Sequence, residues 1–202
     1  MNIVIATNNQ GKLREFKQIL QPHGFTVMSM KEAGVFADTT EDGETFEENA
    51  HIKAEAVKRL LDEKGVSAAV IADDSGLEVE FLGGAPGIYS ARYGGEGISD
   101  SDRCELILSE LRGVDKSLRG AAFVCAIYLI DAAGEEHSVK GSISGFIGTE
   151  AVGVNGFGYD PIFMVEDDGV EVSFAEIQAS AKNKISHRAD ALRKLGQLVT
   201  GN

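Results

Sequence analysis

The chain lacks the features of several specialised classes of protein. It contains no tryptophan, only three prolines, and two cysteines among 202 residues. The cysteines, Cys104 and Cys125, have no metal-ligand spacing, so we expect reduced, partly buried thiols and a cytoplasmic location rather than a disulfide framework. No apolar stretch approaches the roughly 20 residues of a membrane span. The N-terminal apolar run has the length of a strand and follows no basic residues, which argues against a secretory signal.

Positive charge is also scarce. Lys and Arg number 19 against 32 Asp and Glu, which gives a formal net charge of −13 at pH 7. A nucleic-acid backbone or an acidic membrane requires a basic protein surface, so neither is an expected partner. A small anionic ligand is compatible with this balance, but it needs a local basic pocket and a metal cation.

The composition, with 43% hydrophobic and 25% charged residues, is that of an ordinary globular protein. The length of the chain predicts one domain or two closely joined lobes. Apolar runs predict strands over 3–6, 25–29, 66–72, 121–131, 136–147 and 157–165. Apolar periodicity predicts helices over 12–20, 45–64, 100–111 and 186–199, and Thr45 with Glu48 three residues later predicts an N-cap at the start of the second. The glycine-rich residues 83–97 read as a long loop, which in a compact domain is usually functional. Strand–helix units and a long hairpin together favour an α/β fold with a central mixed sheet flanked by helices.

The most informative segment is Ala72-Asp73-Asp74-Ser75-Gly76, which follows an apolar run. It predicts a buried strand that ends at a turn, and the carboxyl ends of strands are where open α/β sheets bind ligands. Consecutive strand residues point to opposite faces, so one of Asp73 and Asp74 faces a cleft and the other faces a neighbouring element. A carboxylate in such a cleft suits a divalent cation or a catalytic water. An Asp-Asp-Ser-Gly surface turn is the alternative.

Two lysines are candidates to bind an anion. Lys12 begins a helix after a short polar loop, where backbone amides and the positive helix end form a natural anion site; an ordinary surface lysine is the alternative. Lys53 falls in the middle of an apolar stripe of helix 45–64, with Asn49 one turn earlier on the edge of that stripe. A lysine there is costly unless its ammonium group meets an anion or extends to solvent, and we favour a lysine that faces the cleft.

Two segments near the C-terminus are less usual in composition. His187 and Arg188 place cations in the first turn of a helix, against its dipole, which a bound anion or a salt bridge would offset. Gly156-Phe157-Gly158-Tyr159-Asp160-Pro161 lets the backbone approach a ligand and lets Phe157 present its ring to a base; a core phenylalanine is the alternative.

Taken in order, these segments resemble the inosine/xanthosine triphosphate pyrophosphatase family. The resemblance rests on Thr7-x-Asn9-x-x-Lys12, Phe46-x-Glu48-Asn49-Ala50-x-x-Lys53-Ala54, Ala72-Asp73-Asp74-Ser75-Gly76-Leu77, the segment from Gly83 to Tyr93, Phe157-Gly158-Tyr159-Asp160-Pro161 and Ser186-His187-Arg188. It implies a single domain over 1–202, elongated and two-lobed with the substrate cleft between the lobes, and a homodimer. The implied reaction hydrolyses ITP, dITP or XTP to the monophosphate and pyrophosphate with Mg²⁺.

The resemblance also implies roles for individual residues. Asp74 is implied to be the general base and a metal ligand, and Glu41 the second metal ligand. Triphosphate and metal-site contacts are implied for Thr7, Asn8, Asn9, Gln10, Gly11, Lys12, Lys53, Ser75 and Lys182. Base and sugar contacts are implied for Phe157, Gly158, Tyr159, Asp160, His187 and Arg188.

Selection of a 6-keto purine over adenine requires a donor where adenine carries its amino group, and Arg188 or a backbone N–H meets that need. A pyrophosphatase of the related Maf type, acting on methylated pyrimidine nucleotides or dUTP, is one alternative. A nucleotide sensor without turnover is another, against which the Asp73–Asp74 pair and Lys53 argue. The role of Arg92, phosphate contact or support of the glycine-rich loop, stays open.

Overall fold

The computed structural model describes residues 2–167 and 169–200, and its central element is a seven-stranded mixed sheet. The strands are β1 (Asn2–Ile5), β2 (Thr26–Ser29), β3 (Ala69–Val79), β4 (Gly120–Ile130), β5 (Glu136–Ile147), β6 (Phe163–Asp167) and β7 (Val170–Ser173). Their order is β2-β1-β3-β4-β5-β6-β7. β1 pairs in parallel with β2 and β3, whereas β6 pairs antiparallel with β5 and β7. The predicted α/β fold with a mixed sheet is therefore confirmed.

Five α-helices accompany the sheet in the described residues. They are α1 (Gln10–Leu20), α2 (Phe46–Glu63), α3 (Asp100–Glu110), α4 (Ala179–Ile185) and α5 (His187–Thr200). α2 begins with a capping box, in which Thr45 accepts the Glu48 N–H and Glu48 in turn accepts the Thr45 N–H, as the sequence predicts. None of these helices combines the length and apolar character needed to cross a membrane.

The chain divides into two compact units. The first comprises Met1–Asp74, Cys125–Gly141 and Arg188–Asn202, and the second comprises Ser75–Val124 and Ser142–His187. In the first unit, apolar side chains of β1, β2, α1, α2 and α5 form two buried clusters, with Phe16 and Leu61 fully buried. In the second unit, Leu77, Ile107 and Phe163 belong to one buried cluster. Each unit therefore has its own core to support local side chains.

The structure corrects two strand predictions. β3 does not end at the Asp73–Asp74 pair but continues to Val79, because Leu77 and Val79 are buried and the turn preference of Asp-Asp-Ser-Gly is overridden. Residues 157–165 are not one strand: a turn and a 3₁₀ segment, Asp160–Ile162, precede β6. Positive φ angles at Gly156 and Gly158 prevent an extended backbone there.

Two elements were not predicted. β7 has four residues with mostly exposed or half-buried side chains, and α4 has seven residues whose N-cap, Gln178, makes no side-chain capping bond. The Val-Glu-Val-Ser alternation of β7 is too short to identify a strand, and α4 has no capping residue to mark its start. Cys104 and Cys125 are buried and form no disulfide, as expected.

Candidate functional site

Asp73 is the centre of a buried ion-pair network in the first unit. Its side chain is fully buried in β3, and its Oδ2 atom lies 2.9 Å from Arg188 Nη2 and 3.0 Å from Lys12 Nζ. Arg188 also pairs with the buried carboxylate of Glu15, on α1. Two cations and two carboxylates thus neutralise one another, which is the arrangement that the buried charges of Asp73 and Arg188 require, while Lys12 keeps 15% of its side chain exposed.

The electrostatics of this network favour the charged forms. Burial alone would raise the pKa of Asp73, but Lys12 and Arg188 outweigh it and hold that pKa far below its ordinary value. Burial would likewise lower the pKa of Arg188, but Asp73 and Glu15 raise it instead. Asp73 is therefore a permanent anion.

Asp74 faces a different set of partners. Its Oδ1 atom lies 3.1 Å from Lys53 Nζ, and its Oδ2 atom accepts a hydrogen bond from Asn49 Nδ2 at 3.3 Å. Lys53 Nζ is also 2.9 Å from Glu41 Oε2. Lys53 therefore does not extend to solvent, since its ammonium group bridges two carboxylates of the chain, and its position in a ligand cleft stays a prediction.

Here the electrostatics act against the charged carboxylate. Burial and the neighbouring Glu41 raise the pKa of Asp74, although Lys53 and Lys12 oppose this shift. Burial would lower the pKa of Lys53, but Asp74, Asp73 and Glu41 raise it, so Lys53 remains an ammonium ion. A carboxylate with a raised pKa beside a fixed cation is a better proton acceptor than an ordinary surface aspartate.

The structure of α2 explains how Lys53 and Asn49 reach Asp74. The buried face of the helix is formed by Phe46, Asn49, Ala50, Ala54, Val57 and Leu61. Lys53 is one turn from Asn49, so both side chains project toward the same region of β3. Asn49 is completely buried, and its Oδ1 atom also accepts the Gly43 N–H at 2.9 Å, which ties the loop containing Glu41 to the helix.

The polar loop before α1 has the geometry of an N-terminal cap. The Asn9 side chain accepts the Lys12 N–H at 3.1 Å, and Thr7 Oγ1 accepts the Asn9 N–H at 3.2 Å. No acidic residue lies in the first turn of α1. The predicted phosphate-contact residues of this loop, Thr7, Asn8, Asn9, Gln10 and Gly11, are half-buried or exposed. The N–H groups of Thr7 and Asn9 are donated to the Ile5 carbonyl and to Thr7 Oγ1, so the positive end of the helix is offered to an anion by the rest of this exposed loop.

In the second unit, the segment 157–160 is held by its own aspartate. Asp160 Oδ2 accepts the Phe157 N–H at 2.9 Å and lies 2.5 Å from Lys182 Nζ. Lys182 Nζ is also 4.9 Å from the centre of the Phe157 ring, within the range of a cation–π contact. Gly156 is required beside this carboxylate, because a Cβ atom there would lie 2.0 Å from Asp160 Oδ2.

The remaining predicted residues of the second unit are placed as follows. Tyr159 is buried and donates its hydroxyl hydrogen to the Ser90 carbonyl at 2.8 Å. His187 stacks on Phe123 with ring centres 5.0 Å apart, and Ser75 is half-buried in β3. The proposed roles of these residues in substrate binding stay predictions.

Arg188 and Glu15 show where the sequence reasoning was incomplete. The resemblance predicts that Arg188 contacts the base or sugar, but its side chain is 1% exposed and its guanidinium is paired with Asp73 and Glu15. That position favours support of Asp73, and the base contact stays a prediction. Glu15 was not singled out; its signal is a carboxylate among Leu13 and Phe16 on the buried face of α1.

Glu41 and Asp74 are two carboxylates that fit a magnesium ion. Their oxygens converge on one ammonium group, so both face a cation position. In residues 2–167 and 169–200 no three His, Cys, Asp or Glu side chains are grouped to hold a metal. Magnesium is usually bound through one or two carboxylates, with water and substrate phosphates as the other ligands, and this pair supplies that number.

The fold and these residues define a class: an α/β protein with a lysine-bridged carboxylate pair, Asp74 and Glu41, next to a buried ion-pair network around Asp73. The sequence model of the Ham1 family matches residues 3–198. The chain therefore belongs to the Ham1 family, and the resemblance stated from its motifs is confirmed.

Individual relatives agree with this assignment over the whole chain. A protein of Bacillus subtilis named dITP/XTP pyrophosphatase is 50% identical over 196 residues, which cover 97% of this chain and 96% of that protein. The protein of the same name from Bacillus licheniformis is 48% identical over 197 residues, covering 98% and 97%. The Ham1 protein structure of Staphylococcus aureus is similar with a TM-score of 0.81 and 43% identity, covering 100% of this chain and 99% of that one.

Proposed function

We propose that this protein hydrolyses the deaminated purine nucleotides ITP, dITP and XTP to the nucleoside monophosphate and pyrophosphate. Relatives near 50% identity are named for dITP and XTP. The observation that supports the proposal best is the Asp74 centre, in which a buried carboxylate with a raised pKa lies against Lys53 and near Glu41. Such a centre suits attack by water on a phosphoanhydride.

In the proposed reaction, Asp74 accepts a proton from the attacking water. The water oxygen bonds to the α-phosphorus, the bond from that phosphorus to the bridging oxygen breaks, and pyrophosphate leaves with the electron pair. Lys53 and Lys12 hold positive charge where negative charge accumulates on the leaving group. Asp73 does not take part in proton transfer, because Lys12 and Arg188 keep its pKa far below its ordinary value.

We propose Mg²⁺ as the cofactor, with Glu41 and Asp74 as its protein ligands. When bound, it would supply further positive charge to the phosphate oxygens. Lys53 then has a second role, because its ammonium group keeps the two carboxylates together at hydrogen-bond distance. The loop Thr7–Gly11 contributes amides and hydroxyls to the phosphates, and Ser75 and Lys182 complete the proposed set.

The base is proposed to contact the segment Phe157–Asp160. The ring of Phe157 would stack on the purine. Lys182, which is paired with Asp160, lies over one face of that ring and so holds it in place. A backbone N–H from this segment that meets the 6-keto group would discriminate against the amino group of adenine. His187 and Arg188 are proposed as further contacts to the base and sugar. We further propose a homodimer, a cytoplasmic location and no nucleic-acid partner.

The test is pyrophosphate release from ITP, dITP, XTP, GTP, ATP, dUTP and methylated pyrimidine triphosphates, with Mg²⁺ and with EDTA. We expect release from the inosine and xanthosine nucleotides only, abolished by EDTA and restored by excess Mg²⁺. Release from the pyrimidines instead would retain the chemistry and refute the base assignment. No release from any nucleotide would leave a binding protein and refute the role of Asp74.

A further inference from the structure

The backbone of Gly158 is held on both sides by one turn of α3. Its N–H donates to Asp100 Oδ2 at 2.9 Å, and its carbonyl accepts a hydrogen bond from Cys104 Sγ at 3.4 Å. Asp100 and Cys104 are four residues apart and therefore lie on the same face of the helix. Both polar groups of a single glycine are thus fixed by an element outside the segment that contains it.

This glycine lies between the residues proposed to contact the base. Gly158 has a φ angle of +61°, which ordinary side chains rarely adopt, so its peptide groups need external partners to fix their direction. Asp160 holds the N–H of Phe157, and Asp100 holds the next N–H along the chain. Loss of the Asp100 bond would leave the peptide between Phe157 and Gly158 without this acceptor.

The helix that carries Asp100 is itself well anchored. Ser99 and Asp102 form a capping box at its start, and Cys104 and Ile107 are buried in the core of the second unit. The other oxygen of Asp100, Oδ1, accepts a hydrogen bond from Arg103 at 2.8 Å, so both carboxylate oxygens are directed. Burial and the carboxylates of Asp100 and Asp160 raise the pKa of Cys104 to about 12, so its thiol remains a donor.

We propose that Asp100 is a positioning residue for purine recognition, which fixes the Phe157–Gly158 peptide through the Gly158 N–H. The proposal rests on the function proposed above and adds a residue that touches no part of the substrate. Asp100 acts through the glycine, so its loss is expected to weaken base contacts and to leave phosphate contacts unchanged.

The test compares binding of two ligands to Asp100→Ala by calorimetry. IMP reports on the base contacts, and inorganic pyrophosphate with Mg²⁺ reports on the phosphate contacts. We expect Kd for IMP to rise about 3- to 10-fold, as for loss of one hydrogen bond, and Kd for pyrophosphate to change less than about 2-fold. In turnover, KM for ITP should rise more than kcat falls, and the preference for ITP over ATP should decrease.

Two variants separate the hydrogen bond from its surroundings. Asp100→Asn keeps an oxygen that accepts the Gly158 N–H and should restore IMP binding. Arg103→Gln removes the ion pair but leaves the carboxylate, and should bind IMP like the wild type. Equal weakening of both ligands in Asp100→Ala, or no weakening of either, would overturn the proposal.

A second measurement needs no variant and decides the matter if Asp100→Ala does not fold. Hydrogen exchange by NMR in the wild-type chain should show a protected Gly158 amide, and rapid exchange of that amide would overturn the proposal. If the wild-type chain neither hydrolysed ITP nor bound IMP, the proposed function would fail and this inference with it. Wild-type IMP binding with an unaffected Asp100→Ala would refute the inference alone.

Discussion

The two faces of β3 place two neighbouring aspartates, Asp73 and Asp74, in opposite electrostatic environments. On one face Asp73 is enclosed by Arg188 and Lys12, and these cations hold its pKa far below the ordinary value. On the other face burial and Glu41 raise the pKa of Asp74. Strand alternation alone separates the two side chains, so one residue becomes a fixed structural anion and the next a group suited to accept a proton.

The balance of charge also differs between the two faces. The Asp73 network contains two cations, Lys12 and Arg188, and two carboxylates, Asp73 and Glu15. The ion pairs described around Asp74 contain one cation, Lys53, and two carboxylates. The ion pairs of the first face contain equal numbers of cations and carboxylates, whereas those of the second contain one carboxylate more than cations, which a further cation would offset. This difference is the physical basis for assigning magnesium to the Asp74 face.

The largest expected effect is on turnover when the Asp74 face is changed. Asp74→Asn keeps the shape of the side chain but removes the proton acceptor, and its single oxygen can accept from only one of Lys53 and Asn49. We expect kcat for ITP to fall about 10²- to 10⁴-fold, the usual range for loss of a general base. Circular dichroism and thermal unfolding should show a folded chain. A folded variant with wild-type turnover would contradict the assignment.

The next effect is on stability when the Asp73 face is changed. Asp73→Asn removes one counter-charge of the buried Arg188, and we expect the free energy of unfolding to fall by about 3–5 kcal/mol. The measurement is urea denaturation at pH 7. The matched control is Glu171→Gln, which removes the carboxylate of an exposed pair with Lys116 and should cost less than about 1 kcal/mol. Equal losses in the two variants would show that the Asp73 network is not closed.

Features of the fold that have a local cause could be predicted from the sequence, whereas features with a non-local cause could not. The cap of α2, the helix periodicity and the apolar position of Lys53 are local patterns, and the structure confirms them. The continuation of β3 through Asp-Asp-Ser-Gly was not readable, because its cause is non-local. Buried cations pair with the carboxylates, and packing of Leu77 and Val79 overrides the turn preference.

The site shows the same limit. Its motifs predict which residues form the site, but the contacts of each side chain can be known only from the fold. Nothing in the sequence says that Glu15 meets Arg188, which is 173 positions away, or that Asp100 meets Gly158. The prediction of a strand over 157–165 was wrong because Gly156 and Gly158 adopt positive φ angles, and the Asp160 carboxylate leaves no room for a side chain at Gly156.

A smaller effect is expected from the residue that supports Asp74 without being charged. Asn49→Ala removes a hydrogen bond to Asp74 and the acceptor of the Gly43 N–H. We expect a loss of about 1–3 kcal/mol in stability, because a buried group loses its partner, together with about a 10-fold fall in kcat. Urea denaturation and ITP turnover measure the two effects. Glu55→Gln on the exposed side of α2 is the control, and unchanged stability in Asn49→Ala would contradict the buried contact.

The smallest perturbation tests whether the Asp73 face is closed to solvent. Cys125 Sγ lies 3.9 Å from Asp73 Oδ2, and burial together with that carboxylate raises the pKa of the thiol to about 12. Because the reactive form is the thiolate, native Cys125 should not react with a thiol-specific disulfide reagent at pH 8. Unfolding in guanidinium chloride should expose both cysteines of the chain. Reaction of native Cys125 faster than global unfolding would show that this face opens locally. The two faces of β3 would then differ only in how far solvent reaches them.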